Sequence, residues 1–243
     1  DKLRDWARET SAVKAFMRSL RGKIDGGEEL IDLGLPYFDR LFGHQRIDAI
    51  AIEKSRKYLL LNETGTGKTW SALAGLALIK AKGDDIFPLI IIAPKSMIVT
   101  WSRESKLFFP DAEIRVCQGT PSVTKKALEP GADIYCIGWD SVSKYSRQAA
   151  YGPIAINDEN KVDKELQQIG FKSGIVDEVH RGQNGKAQRT RAVWQATATC
   201  ENLIGMTGTP MQDTIEDLWA VLRLLFPKEY PTKTAFLERF AEI

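Results

Sequence analysis

The chain is poor in the residues that build metal centres and disulfide scaffolds. Its 243 residues include two histidines, His44 and His180, which excludes a histidine-rich metal site. The three cysteines, Cys117, Cys136 and Cys200, are widely spaced and form no C-x-x-C pair. An odd count without a signal peptide leads us to expect reduced core thiols and an intracellular setting, in cytoplasm or nucleus. No apolar run nears membrane-spanning length, the stretch at 89–93 being far too short, so no membrane partner is expected. The formal net charge of +2 is too small to demand nucleic acid by itself. Nineteen glycines and ten prolines are ordinary numbers and indicate neither a fibrous nor a disordered class.

What is present is a 43% hydrophobic chain, enough for one large α/β domain with a substantial core. Its most informative stretch is Tyr58-Leu59-Leu60-Leu61-Asn62-Glu63-Thr64-Gly65-Thr66-Gly67-Lys68-Thr69, followed by a helix-like segment over 70–82. An apolar strand, a glycine-bearing turn and a helix form a phosphate-binding loop. Gly65 and Gly67 lack a Cβ, so the backbone can curl and aim N–H groups at phosphate oxygens, with the positive end of the helix dipole behind them. Lys68 is expected to reach the terminal phosphates, and the Thr69 hydroxyl to hold magnesium. One departure from G-x-x-x-x-G-K-[ST] is Asn62 in place of the first glycine.

A second apolar strand, Gly174-Ile175-Val176, ends in Asp177-Glu178-Val179-His180. Strand ends of a parallel sheet face the ligand crevice. There Asp177 could hold magnesium through its water shell and Glu178 could take the proton of an attacking water. Residues 181–200 carry Arg181, Lys186, Arg189 and Arg191 and no acid, which reads either as a polymer-binding face or as a solvated one.

Apolar strand candidates fall at 58–61, 89–93, 114–116, 134–137, 175–177 and 203–207, most of them separated by helix-like segments. This alternation predicts an α/β fold, a mostly parallel sheet with helices on both faces, and right-handed crossovers that place the motifs on one edge. Residues 1–21 read as an amphipathic helix, 22–35 as a glycine-rich acidic linker, 45–56 as a helix and 147–168 as an irregular insertion or partial helix. A last helix is signalled by Asp213 as N-cap with Glu216 three residues on, by Leu218, Val221, Leu222 and Leu225 as its apolar face, and by Pro227 as its stop.

In this order the motifs resemble the first RecA-like lobe of superfamily-two helicase-type motors, and most closely the Swi/Snf branch of DNA translocases. The residues that carry the resemblance are His44-Gln45-Arg46, Glu63 to Thr69, Ile90 to Pro94, the DEVH box at 177–180, and Thr207-Gly208-Thr209-Pro210. Trp101 and the pair Phe236 and Phe240 also fit. The loop form Thr64-Gly65-Thr66 is commoner in general helicases than in chromatin remodellers, and permits a bacterial or viral relative. The resemblance covers about residue 38 onward, giving an N-terminal extension at 1–37 and a RecA-like P-loop lobe at 38–243.

The resemblance implies a nucleotide site of Gln45, Glu63, Thr64, Gly65, Thr66, Gly67, Lys68 and Thr69, with Gln45 recognising adenine through its amide. It implies catalysis by Lys68, Asp177 and Glu178, magnesium on Thr69 and Asp177, and coupling through His180, Thr207 and Thr209. Nucleic acid would lie against Pro94, Lys95, Ser96, Trp139, Arg181, Lys186 and Arg189; Trp139 could equally belong to the core. The implied activity is ATP hydrolysis with magnesium, stimulated by double-stranded DNA and powering translocation. Too few residues follow Pro210 for a second RecA-like lobe of normal domain size. That lobe, with its transition-state arginines, is therefore expected to be missing from this chain and the isolated lobe nearly inactive. Three other readings stay open: an RNA helicase, a restriction-type translocase subunit, and a nucleotide-dependent binding module with a vestigial ATPase. Thr-Gly-Thr-Pro leans against the first, and intact Lys68, Asp177 and Glu178 lean against the last.

Overall fold

The computed structural model describes residue 35 and residues 37–146, 163–209 and 215–240. The expected N-terminal helix, most of the linker after it and the Asp213 cap lie outside these residues. In chain order the elements are α1 (Gly43–Ser55), β1 (Lys57–Leu60), α2 (Lys68–Ala81), β2 (Leu89–Ala93), α3 (Ile98–Phe108), β3 (Ile114–Cys117), α4 (Pro121–Ala127) and β4 (Ile134–Gly138). They continue with α5 (Trp139–Tyr145), α6 (Glu165–Ile169), β5 (Ser173–Asp177), α7 (Gln188–Ala196), β6 (Asn202–Met206), α8 (Ile215–Leu225) and α9 (Lys233–Phe240). Short 3₁₀ turns sit at Phe38–Arg40, Lys95–Met97 and Val179–Gly182.

The six strands form one parallel sheet in the order β1-β6-β5-β2-β4-β3. Strand β2 is bonded on both sides, with Ile91 opposite Cys136 of β4 and Ile175 of β5. All five of its residues are buried, which is why it reads as a continuous apolar run rather than an alternating one. Successive side chains still go to opposite faces. Leu89, Ile91 and Ala93 join the core under α1, α2 and α3, while Ile90 and Ile92 join the core under α5, α6, α7 and α8.

Several local signals explain the helix ends. Gly67 adopts a left-handed conformation (φ 76°) immediately before α2, as a residue without a Cβ can. Thr120 accepts a bond from the Val123 N–H, with Pro121 opening α4. Within 147–168 the described residues include the start of α6, so that segment is partly helical. The buried face of α8 is Ala220, Val221, Leu224 and Leu225; Leu218 and Leu222 are only half-buried. The apolar face expected from the sequence is thus rotated, with Ala220 and Leu224 taking the core positions. The three cysteines are free and buried, and burial pushes the Cys117 and Cys200 thiols up to about 12, so both stay protonated. Among the described residues no helix is long and apolar enough to cross a membrane.

Helices α1 and α2 must lie close, because α1 carries Gln45 and α2 grows out of the phosphate loop. Gly75 permits this: a Cβ there would sit 2.6 Å from Ile52 Cγ2 and 2.7 Å from Ile52 Cβ, the rigid stem of a branched side chain. We predict that Gly75→Val destabilises the fold by about 1–3 kcal/mol through overpacking. Urea unfolding measures this, and an unchanged midpoint would show that the contact adapts.

Candidate nucleotide site

The carboxyl ends of β1, β6, β5 and β2 lie side by side on one edge. They carry, in that order, the phosphate loop, the Thr207–Thr209 segment, the DEVH box and Pro94-Lys95-Ser96. Four motifs spread over more than a hundred residues are neighbours because alternate strands were inserted between them.

The loop after β1 is braced from below. Asn62 Nδ2 donates to Asp48 Oδ2 at 2.6 Å, and Ser71 Oγ donates to the same oxygen at 3.2 Å. Asp48, buried on α1, therefore clamps the start of the loop to the second turn of α2. This accounts for Asn62 where a glycine is usual: its amide provides the donor that the clamp needs. Lys68 Nζ donates to the carbonyls of Asn62 and Glu63 at 2.8 and 2.9 Å, curling the chain around its ammonium.

Gln45 also braces the loop. Its Nε2 donates to the Thr66 and Gly67 carbonyls at 3.1 and 3.2 Å, and its Oε1 accepts from the Phe42 N–H at 2.9 Å. The residue is 4% exposed, and its amide serves the loop on one side and the start of α1 on the other. Gln45 is thus a strut under the loop. A Cβ on Gly67 would fall 2.2 Å from Gln45 Nε2, so the strut and the glycine require each other. His44 Nε2 lies 2.9 Å from the Thr66 carbonyl and adds to the same support. At Gly65 (φ 85°) a Cβ would meet nothing within 4 Å, which marks the open side of the loop.

Asp177, at the end of β5, is 8% exposed. Its Oδ1 accepts from the Glu178 N–H at 2.9 Å and its Oδ2 from Trp101 Nε1 at 3.0 Å. Its main-chain carbonyl accepts from Trp139 Nε1 at 2.7 Å. Burial raises its pKa above the ordinary carboxylate value. The Trp101 bond opposes the shift, the Glu178 charge adds to it, and the nearby Lys68 charge opposes it. Lys68 and Asp177 therefore act on one another across the site. Trp139 was a candidate for polymer contact, but at 1% exposure its indole lies in the core and supports the Asp177 backbone.

Glu178 has φ 50° and ψ 50°, a left-handed conformation uncommon for a side-chain-bearing residue and costing about 1–3 kcal/mol. The turn brings its carboxylate back over His180, with Oε2 3.1 Å from Nδ1. The same nitrogen lies 2.8 Å from Thr207 Oγ1, and that oxygen accepts from the Thr209 N–H at 3.0 Å. Glu178, His180, Thr207 and Thr209 are thereby joined in one chain of bonds. Gly208 lies against the loop, where an added Cβ would be 3.0 Å from Thr64 Oγ1.

The basic residues separate into two places. Lys95 and Ser96 are exposed on the turn after β2, beside Gly138, with Pro94 half-buried before them. Arg181, Lys186 and Arg189 are exposed around a groove of about 1210 Å³ between α7 and α8, which Lys95 does not line. His180 belongs to this groove and to the bond chain of the nucleotide edge.

The residues fit a magnesium–nucleotide. The loop offers an open glycine turn and a lysine, and the charge of that lysine acts on the Asp177 carboxylate, whose two oxygens each accept one bond and keep acceptor capacity. Among the described residues no cluster of three or more His, Cys, Asp or Glu could hold a metal without further ligands. Magnesium suits such a site, since it binds through one or two carboxylates together with phosphate oxygens and water. The sequence missed Asp48, although its i, i+3 spacing from Gln45 places both on one face of α1 and was a usable signal.

Comparison with known proteins agrees with this geometry. The SNF2-related domain family matches residues 10–243, so the match begins within the stretch read as an extension. The chromatin-remodeling ATPase INO80 of Pyricularia oryzae is 27% identical over 188 residues, 76% of this chain and 9% of its own length. The helicase SWR1 of Eremothecium gossypii is 28% identical over 173 residues, covering 70% of this chain and 10% of its own. The chain thus spans about a tenth of these relatives. Among solved structures, the Sulfolobus solfataricus SWI2/SNF2 ATPase core in complex with dsDNA aligns with a TM-score of 0.61 at 20% identity. That alignment covers 82% of this chain and 37% of the other, and bears on the fold, which is RecA-like. A family match running almost end to end, on a sheet whose strand ends carry the phosphate loop, the DEVH box and the Thr207–Thr209 segment, makes the relationship plain: the chain belongs to the SNF2-related domain family.

Proposed function

We propose that the chain is the ATP-binding and hydrolysing lobe of a Swi/Snf-like motor that moves along double-stranded DNA inside the cell. The observation that carries this reading is the convergence of Lys68, Asp177 and Glu178 on one sheet edge, with Glu178 held in a left-handed turn by bonds on both sides. A vestigial site would have no reason to keep that costly conformation.

In this reading the loop amides and Lys68 bind the phosphates, and Thr69 and Asp177 hold magnesium. Magnesium, when bound, neutralises charge on the transferring phosphoryl group. Glu178 orients the attacking water and takes its proton. The bond from Glu178 to His180 and on to Thr207 and Thr209 gives the nucleotide edge a path to the neighbouring segment, so a change at Glu178 alters its partners in turn. Phosphate contacts along a duplex position a protein without reading sequence, which suits a translocase. Lys95, with the Ser96 hydroxyl beside it, and Arg181, Lys186 and Arg189 at the groove are the groups offered to that backbone. A second lobe completes the motor and supplies the arginines that stabilise the transition state.

Lys68→Ala and Asp177→Ala are each expected to abolish magnesium–ATP turnover in the protein stimulated by duplex DNA, since one removes phosphate charge neutralisation and the other the metal. Glu178→Gln is expected to bind ATP without hydrolysing it. Turnover by this variant at the wild-type rate would remove Glu178 from the mechanism.

For the polymer, log affinity is expected to fall linearly with log salt, by ~0.9 for each phosphate neutralised. Changing Lys186 and Arg189 together to alanine should lower the slope by up to ~2, weaken all duplex sequences about equally and leave nucleotide binding intact. An unchanged slope would place the DNA track away from the groove and leave these side chains as a solvated face.

A further inference from the structure

Two buried indoles converge on Asp177, and they do different things. Trp139 bonds only to its carbonyl, whereas Trp101 bonds to the carboxylate itself. The torsion that orients a carboxylate is soft, so an aspartate at a strand end does not fix its own oxygens. Here one oxygen is held from within the chain by the Glu178 N–H and the other from outside by Trp101 Nε1. Trp101 is fully buried in the first turn of α3, directly after the 3₁₀ turn at Lys95–Met97. The carboxylate is therefore set jointly, by the turn that ends its own strand β5 and by the helix that follows β2.

We propose that Trp101 is a positioning residue for the metal site: its indole N–H holds the Asp177 carboxylate in the orientation that receives magnesium, tying the Lys95–Met97 segment to the metal. This rests on the reading of Asp177 as the magnesium carboxylate. Phenylalanine would fill most of the same space but would leave Oδ2 without its donor. Trp101 then acts through Asp177 and touches neither nucleotide nor metal.

The test compares Trp101→Phe with Phe108→Leu, a packing change in the same helix at a buried residue, and with Asp177→Ala. Mn²⁺ binding in the presence of ADP is followed by electron paramagnetic resonance, and ADP binding is measured separately in EDTA. Trp101→Phe is expected to weaken Mn²⁺ by about 10–100-fold, as loss of a partner behind a metal ligand does, with ADP affinity in EDTA unchanged. Phe108→Leu should lower thermal stability and leave Mn²⁺ affinity at the wild-type value. Wild-type Mn²⁺ affinity in Trp101→Phe overturns the proposal, as does an equal loss in Phe108→Leu. If Asp177→Ala itself keeps wild-type Mn²⁺ affinity, the magnesium reading of Asp177 fails instead.

The unmutated protein gives a second measurement should Trp101→Phe not fold. The Trp101 indole ¹⁵N–¹H resonance is expected to shift when magnesium is added to the ADP-bound protein, and not when ADP is added in EDTA. A resonance indifferent to magnesium overturns the proposal.

Discussion

Everything at the site depends on one constraint, that all six strands run parallel. In such a sheet every strand leaves by the same edge, and each return crosses a face as a helix or loop. The chain cannot put its phosphate loop and its acidic box on opposite edges without breaking that rule. Insertion of β6 and β5 between β1 and β2 then decides which motifs touch. The loop meets Gly208, His180 meets Thr207, and Asp177 meets Trp101 from the far side of β2. The geometry is enforced by burial. Ile90, Ile91, Ile92, Ile175 and Val176 have no measurable exposure, and each such side chain is worth about 1.5–3 kcal/mol relative to solvent. A central strand of this kind cannot slip in register without turning both of its cores over.

The loop itself is held by polar groups and not by packing. Backbone curled around Gly65 and Gly67 has little apolar contact to fix it, so its carbonyls need partners of their own. Gln45, His44 and Lys68 supply them for Thr66, Gly67, Asn62 and Glu63, while Asp48 anchors Asn62. Gln45 and Asp48 are themselves buried, and leaving a buried polar group unpaired costs about 1–3 kcal/mol, so losing their loop partners carries a penalty and not merely a missing contact. Gln45 is the instructive case. Its motif position implied adenine recognition, and the structure adds a second task, since its amide nitrogen lies within 3.1 and 3.2 Å of the Thr66 and Gly67 carbonyls.

The strands were legible in the sequence to within two residues at either end, because each is a short run of β-branched or apolar residues bounded by glycine, proline or charge. The faces of β2 were not legible, since every residue in it is apolar while its side chains alternate between two cores. Nor were side-chain partnerships across the sheet. Nothing local to Trp139 distinguishes an indole that meets a polymer from one that bonds the next-but-one strand, and burial decided it. The rotated face of α8 was hidden for a related reason. Leu218 and Leu222 are good helix residues with apolar side chains, but the surface they would cover is set by where α7 and the Val179–Gly182 turn already lie. Asn62 read as a departure from a pattern until Asp48 was beside it.

The choice of an indole against Asp177 has an electrostatic logic. Burial raises this carboxylate's pKa, and a buried acid that protonates cannot hold a divalent cation. An arginine in place of Trp101 would keep the acid ionised, but would also neutralise it and compete with magnesium for the same oxygens. An indole N–H gives a single directed bond and no net charge. It favours the ionised form, opposing the burial that raises the pKa, and adds no charge of its own. Lys68 is the only nearby cation among the contributors to that shift, and it enters from the phosphate loop, where it also bonds the Asn62 carbonyl. The site thus backs its acid with a neutral donor, Trp101, while the one cation that acts on it, Lys68, comes from the phosphate loop.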